Sequence, residues 1–405
     1  MSDSLNIQTE MLSDAGDGAK TSSLFDRLLA RYSSFATPFE AVLPDGTKRR
    51  VGQGAPNFLV TLKNNRALRA ALSLDEGKVA DSYLAGDFEI EGDMMKPFEI
   101  QAAMKDVHPL TQAWRFIQPL LFGQVRTNKQ AIHSHYDIDP GFFLSFLDPK
   151  TPCYTQGVYE SDEETLDVAT TRKFEYAFKQ LRLKPGDRIL EIGPGWGAWF
   201  EYASARGVKC TGISISQESI DYLKGRAKVL GYDWELIFSD LLEYQTDTRY
   251  DAIVIMGVIE HLPDYQRVLE KFATLVKPGG RIFLDGSASN RKFELSSFMV
   301  KHIYGGNHSF LVLPDLLDKL AKTQMQAIEI FNDSKSYMLT LMQWAKNLDR
   351  NREQVVGRFG DYNFRRFRLY LWGAAAAFAR REMLCYRMVI QSPTGEEVPD
   401  ATLST

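Results

Sequence analysis

The residues Glu191-Ile192-Gly193-Pro194-Gly195-Trp196-Gly197-Ala198 follow an apolar, strand-like run and open a helix-like one. Alternating glycines permit positive φ and let a ligand lie against the backbone. Written as G-x-G-x-x-A, the run suits a nucleotide-type ligand whose polar groups meet amide N–H groups at a helix N-terminus. A nicotinamide dinucleotide site usually adds a carboxylate about 20 residues further on to hold the ribose hydroxyls. The next strand here ends Gly212-Ile213-Ser214-Ile215-Ser216 and offers no acid before Glu218, which disfavours a dehydrogenase. Asp240 follows a third apolar run, where an acid can read an adenine amino group; a helix N-cap or loop acid is an equal alternative.

Positioning these residues requires a particular alternation of elements. Apolar, β-rich runs at 187–193, 209–215, 251–257 and 280–286 alternate with helical stretches at about 197–206, from 217, and at about 263–276. Such alternation predicts a parallel sheet covered on both faces, and continuous apolar strands fit burial on both sides.

Upstream, residues 23–35 carry apolar side chains at helical spacing, and residues 39–51 read as two short strands about a Pro-Asp-Gly turn. A second helix is expected over Asn57 to Leu72, followed by helices broken at Gly86, Pro109 and Pro119. The expected organisation is a tail at 1–22, a small, mainly helical N-terminal domain at 23–125, an α/β domain at 126–392 and a tail at 393–405.

The 405 residues carry 48 basic and 52 acidic side chains, a net charge of -4, so no global field favours nucleic acid. Three dispersed cysteines, Cys153, Cys210 and Cys385, match neither a disulfide framework nor zinc-ligand spacing, and no metal is expected. The polar N-terminus lacks a signal-peptide pattern, and no apolar run approaches the ~20 residues of a spanning helix. A cytoplasmic protein is expected, in contact at most with the inner face of a membrane.

Taken together, residues 135–149, 183–199, 211–216, 257–265 and 336–344 resemble the S-adenosylmethionine-dependent cyclopropane fatty acid synthases and their mycolic-acid relatives. The resemblance spans most of the chain. It implies a Rossmann-like, seven-stranded methyltransferase domain with a helical lid inserted at about 287–347. It also implies S-adenosylmethionine as methyl donor, held by Tyr154, Thr155, Gly193, Gly195, Ser214, Ile215, Ser219, Asp240, Leu241 and Met256. The substrate it implies is the cis double bond of an acyl chain, often within a phospholipid.

An alkene is a weak nucleophile, so the methyl must be held in line and away from water. Methyl addition leaves a cation on the neighbouring chain carbon, and the position of a base decides its fate. Proton loss from the new methyl closes a cyclopropane; loss from an adjacent chain carbon gives a methyl-branched alkene. In the family a bicarbonate base is taken to sit among a Cys, a Glu, a His, a backbone group and a Tyr. Glu260 and Tyr337 match the family's Glu and Tyr, Asp285 replaces its His, and Gln156 replaces its Cys unless a shifted alignment brings Cys153 there. A carboxylate beside bicarbonate repels it unless protonated. Bicarbonate is therefore not expected to be required, and Asp285 or Glu260 is the expected base. The expected product is a methyl-branched alkene of the kind that precedes furan fatty acids, with a cyclopropane as the alternative. From other classes, a nicotinamide oxidoreductase and a non-catalytic lipid-binding homologue remain as alternatives.

His308 lies in a segment that looks inserted relative to the family; it is a candidate for acid-base work, and solvent exposure is the commoner fate of a loop histidine. Between Arg350 and Arg381, eight arginines are interleaved with aromatic and aliphatic residues. They suit peripheral contact with anionic headgroups, although pairing with acids elsewhere serves equally. The resemblance also allows a homodimer through the N-terminal domain.

Overall fold

A computed structural model describes residues 37–101, 139–292, 295–304 and 308–394. The chain divides into two compact units, Met1–Asp106 and Val107–Thr405. The boundary expected near residue 125 and the helix expected over 23–35 lie outside the described residues, as do Pro109 and Pro119.

The first unit contains more sheet than the sequence pattern suggests. β1 (Phe39–Val42) and β2 (Lys48–Val51) form the expected hairpin. β3 (Phe58–Leu62) then pairs parallel to β1, and β4 (Phe88–Gly92) pairs antiparallel to β3, giving the order β2-β1-β3-β4. The helix expected over 57–72 is therefore a strand followed by the shorter helix α1 (Asn65–Ser73), whose N-cap Asn64 accepts from the Arg66 and Ala67 amides. In the same way, residues 88–92, read as helical, alternate Phe-Glu-Ile-Glu with the period of a strand. α2 (Glu76–Leu84) and α3 (Pro97–Gln101) complete the described part, which combines a four-stranded sheet with helices.

In the second unit, seven strands form one sheet in the order β10-β11-β9-β8-β5-β6-β7. They are β5 (Arg188–Ile192), β6 (Lys209–Ser214), β7 (Glu235–Phe238), β8 (Tyr250–Met256), β9 (Val276–Ala288), β10 (Gln326–Asn332) and β11 (Leu384–Gln391). All pairings are parallel except those of β11, which runs antiparallel to both β9 and β10. The apolar runs become strands buried on both faces: Ile189, Leu190, Ile253, Val254, Ile255, Phe283 and Leu284 are inaccessible. Strand order reverses at β5, flanked by β6 and β8, and open α/β sheets bind ligands at the carboxyl ends of strands at such a switch point.

Before β5 come α4 (Pro140–Leu144) and α5 (Leu166–Gln180); α6 (Ala198–Ser204), α7 (Gln217–Leu230) and α8 (Tyr265–Leu275) then link the parallel strands. The region expected to be a helical lid, 287–347, holds α9 (Leu313–Leu320) and the start of α10 (Ser334–Arg350), but also the edge strand β10. It is thus partly a structural margin of the sheet. α11 (Arg352–Phe359) and α12 (Asp361–Ala379) lead into β11.

Candidate active site

A cavity opens at the carboxyl ends of β5, β6 and β8, and all ten residues expected to hold the donor line it. The glycine turn forms one wall. Gly195 has φ +54, and a Cβ built there meets nothing within 4 Å, so the turn presents bare backbone to the cavity. Ser219, in the first turn of α7, donates its hydroxyl to the Gly195 carbonyl at 2.7 Å and ties the turn to the helix. At the end of β7, the buried Asp240 accepts from the Leu242 amide at 2.8 Å and lies at the cavity wall. Opposite, the 152–155 segment packs closely against Gly257, where a Cβ would stand 2.6 Å from Thr155 Cγ2. The backbone turn and buried carboxylate fit a nucleoside ligand with polar groups at the turn and an amino group at Asp240.

The second group of expected residues gathers around positions 285–287 of β9. Glu260 sits in a single 3-10 turn, Ile259–His261, and its Oε1 accepts the Ser287 backbone N–H at 2.7 Å. Gly286 makes room for it: a Cβ there would come within 3.3 Å of Glu260 Oε1. Glu260 Oε2 is buried without a partner. Burial pushes this carboxyl up to about 7, and nearby Asp285 adds to the rise. Tyr337, on α10, lies beside Ser287, and its ring packs on Phe378 at 4.9 Å; burial drives its phenol well above the ordinary range. The amide of Gln156 is fully buried, and neither its oxygen nor its nitrogen has a partner. Cys153 instead lines the cavity, with its Sγ 3.2 Å from Thr155 Oγ1.

Asp285 carries a partner that sequence reasoning missed. Lys173 Nζ lies 3.2 Å from Asp285 Oδ2, and both side chains are 0% exposed. Burial is the largest influence and disfavours the Lys173 ammonium, but the charge and hydrogen bond of Asp285, together with Cys153 and Cys385, hold the lysine above its usual range. Burial likewise pushes Asp285 up, opposed by Lys173. The signal for Lys173 was present but quiet: Leu166, Ala169, Thr170, Lys173, Phe174 and Ala177 form one buried helical stripe, in which a lysine occupies a core position. Glu191 was likewise passed over as part of the glycine motif. It lines the cavity, its Oε2 has no partner, and burial raises its carboxyl well above the ordinary range.

His308 is buried rather than solvated, because its ring stacks on Tyr304 at 3.9 Å and meets His261 at 4.9 Å. Burial alone lowers His261 to about 4, so it is neutral at physiological pH. The C-terminal arginines are extensively engaged within the chain. Arg368 pairs with Asp349 at 2.6 Å, Arg358 with Asp139 at 3.1 Å, Arg380 with Glu382 at 2.6 Å, and the buried Arg365 with Asp361 at 2.5 Å.

The family profile described as mycolic acid cyclopropane synthetase matches residues 124–388. The chain belongs to this family. It is similar to a probable fatty acid methyltransferase of Pseudomonas putida, 23% identical over 89% of this chain and 93% of that one. It is also similar to the cyclopropane-fatty-acyl-phospholipid synthase of Escherichia coli, 25% identical over 82% of this chain and 87% of that one. Among solved structures, a cyclopropane synthase of Mycobacterium tuberculosis shares the fold with a TM-score of 0.60 and 22% identity, covering 65% of this chain and 98% of its own. As a member of the family, the chain is an S-adenosylmethionine-dependent methyltransferase or cyclopropane synthase of fatty acids or lipids. Among the described residues, no helix is long and apolar enough to cross a membrane.

Proposed function

We propose that this family member methylates the cis double bond of an unsaturated fatty acyl chain in a phospholipid and releases a methyl-branched alkene. The observation that carries the reading is Glu260, a buried carboxylate with one oxygen fixed by Ser287 and the other unpartnered. A base is most useful when its pKa lies near the working pH, and burial brings Glu260 to about 7. Asp285, the other candidate, is already paired with Lys173.

S-adenosylmethionine, when bound, supplies a methyl made electrophilic by its sulfonium. The glycine turn, Ser214, Ile215, Ser219, Asp240, Leu241 and Met256 would hold it from one side of the cavity, with Tyr154 and Thr155 on the other. The alkene π pair would form the new carbon–methyl bond as the methyl–sulfur bond breaks, its electron pair staying on sulfur in the departing S-adenosylhomocysteine, which would leave a cation on the adjacent chain carbon. Glu260 Oε2 takes a proton from the next chain carbon, and the released C–H pair forms the shifted alkene. Tyr337, beside Ser287 and Glu260, offers its hydroxyl to orient the base or stabilise the nearby cation.

Two departures from the family's bicarbonate cradle support a protein base: Gln156 in place of the cysteine, and Asp285, bound to Lys173, in place of the histidine. Retention of Glu260 and Tyr337 favours the second reading, proton loss from the new methyl to close a cyclopropane. Peripheral membrane contact belongs to the proposal in a narrower form than the sequence suggests, because acids of the same chain already partner several C-terminal arginines.

The test is mass spectrometry of acyl chains, derivatised to locate branches and double bonds, from cells expressing the protein with methyl-labelled methionine. A labelled branch beside a shifted alkene is expected. A labelled cyclopropane selects the second reading, and the absence of labelled acyl product overturns both.

A further inference from the structure

Lys173 is a buried cation that the proposed chemistry leaves unused. It stands in the buried stripe of α5, and its ammonium bonds to two places at once. Nζ is 3.2 Å from Asp285 Oδ2 and 2.5 Å from Thr155 Oγ1, with Cys153 Sγ at 3.8 Å. Thr155 and Cys153 line the donor cavity, whereas Asp285 stands on β9 two residues before Ser287, which fixes Glu260. One side chain therefore connects the cavity wall to the strand whose Ser287 amide anchors the proposed base.

The charges around Asp285 come from every element packed on it. Lys173 comes from α5, Glu191 from β5, Glu260 from the turn after β8, Asp333 from the start of α10, and Arg387 and Cys385 from β11. Arg387 is committed to Asp333 at 2.7 Å and sandwiched between the rings of Tyr176 and Phe331 at 4.1 and 4.4 Å. Lys173 is thus the cation bonded directly to Asp285. An isolated buried carboxylate takes up a proton rather than remain charged without compensation.

We propose that Lys173 is a positioning residue of the reaction: its ammonium keeps Asp285 ionised and bound to the donor-cavity wall through Thr155, so that Glu260 alone accepts the substrate proton. The proposal deepens the reading of Glu260 as base and rests on it for its catalytic half. Its electrostatic half concerns Asp285 alone and can be read without turnover.

The experiment compares the full-length protein with Lys173→Met, Asp285→Asn and the double variant. Infrared difference spectroscopy reports the protonated carboxyl of Asp285, calorimetry reports S-adenosylhomocysteine binding, and kcat is followed against pH. At neutral pH the native protein is expected to lack the protonated Asp285 band. Lys173→Met should gain it, and the double variant should lose it again. Because the Asp285 charge adds to the rise of Glu260, the acid limb of kcat should move to lower pH in Lys173→Met and in the double variant alike. S-adenosylhomocysteine should bind several-fold more weakly to Lys173→Met as Thr155 loses its anchor.

A Lys173→Met protein without the Asp285 band overturns the proposal, as does an acid limb that stays at the native pH. Should Lys173→Met not fold, the double variant, which buries no unpaired charge at this pair, carries the test through its acid limb, with the same overturning result. Full activity in Glu260→Gln would instead sink the assignment of the base while leaving the infrared result on Asp285 to decide the electrostatic half.

Discussion

The Ser287 backbone N–H donates to Glu260 Oε1 at 2.7 Å, and this bond holds a carboxylate from the turn after β8 against the carboxyl end of β9. Because the donor is main chain in a strand whose pairing with β11 runs through Ser287, the carboxylate is anchored to the sheet itself. Sites built on strands keep their geometry better than sites on loops.

Glu260 should control the acid side of the pH profile. It must be ionised to accept a proton, so turnover should rise with pH through about 7. Glu260→Gln should lose about 100-fold or more in kcat while S-adenosylhomocysteine binding is retained. The same shift acts on stability with a defined sign: a raised carboxyl favours the folded state most below its ordinary 4.5, and the benefit is lost as pH rises through about 7. Denaturant titrations of Glu260→Gln should show less decline across that window than the native protein.

Gly195 tests the donor cavity. Its φ is +54, which a branched side chain tolerates poorly, and any Cβ there enters the cavity. Gly195→Val should weaken S-adenosylhomocysteine binding by more than tenfold in calorimetry. Binding unchanged within twofold would remove the turn from the donor site.

Asp285 separates a protein base from a bicarbonate base. On the proposed reading, with Gln156 and the ion-paired Asp285 at the family's cysteine and histidine positions, turnover should survive rigorous removal of bicarbonate. Asp285→Asn leaves Lys173 buried without its counter-charge and should cost about 3–5 kcal/mol of stability in denaturant unfolding. Activity that disappears without bicarbonate and returns on its addition would contradict the proposed base.

The first unit offers an independent check at low pH. Asp87 is buried, accepts from Arg66, Asn64 and Ser82, and is held down at about 2 mainly by the Arg66 guanidinium. Its contribution to stability is present above the ordinary 3.8 and lost as pH falls through about 2. Asp87→Asn should therefore flatten acid unfolding of this unit, followed by circular dichroism.

What the sequence revealed depended on how many residues repeated the same signal. β8 was legible because Ala252 to Ile255 are apolar without interruption, and the glycine turn because three glycines alternate. β4 was obscured by the helix immediately before it, where four residues of strand period offered little against nine of helix period. β10 was hidden inside the expected lid because an edge strand with exposed Ile328, Ile330 and Phe331 lacks the continuous burial of its neighbours. Of the site, Glu260, Asp285 and Tyr337 came from resemblance and converge about β9. Lys173 escaped because its role depends on a residue 112 positions away.

The antiparallel β11 pairs with β9 along the whole stretch Arg281–Ala288. During synthesis, the strand that carries Asp285 and Ser287 must therefore wait about a hundred residues for its second neighbour, with one row of backbone hydrogen-bonding groups uncovered. Such an edge is a template for pairing with other chains, and so remote a closure is slow. Until residue 391 has been made, this edge of β9 is therefore open to pairing with strands other than its own β11.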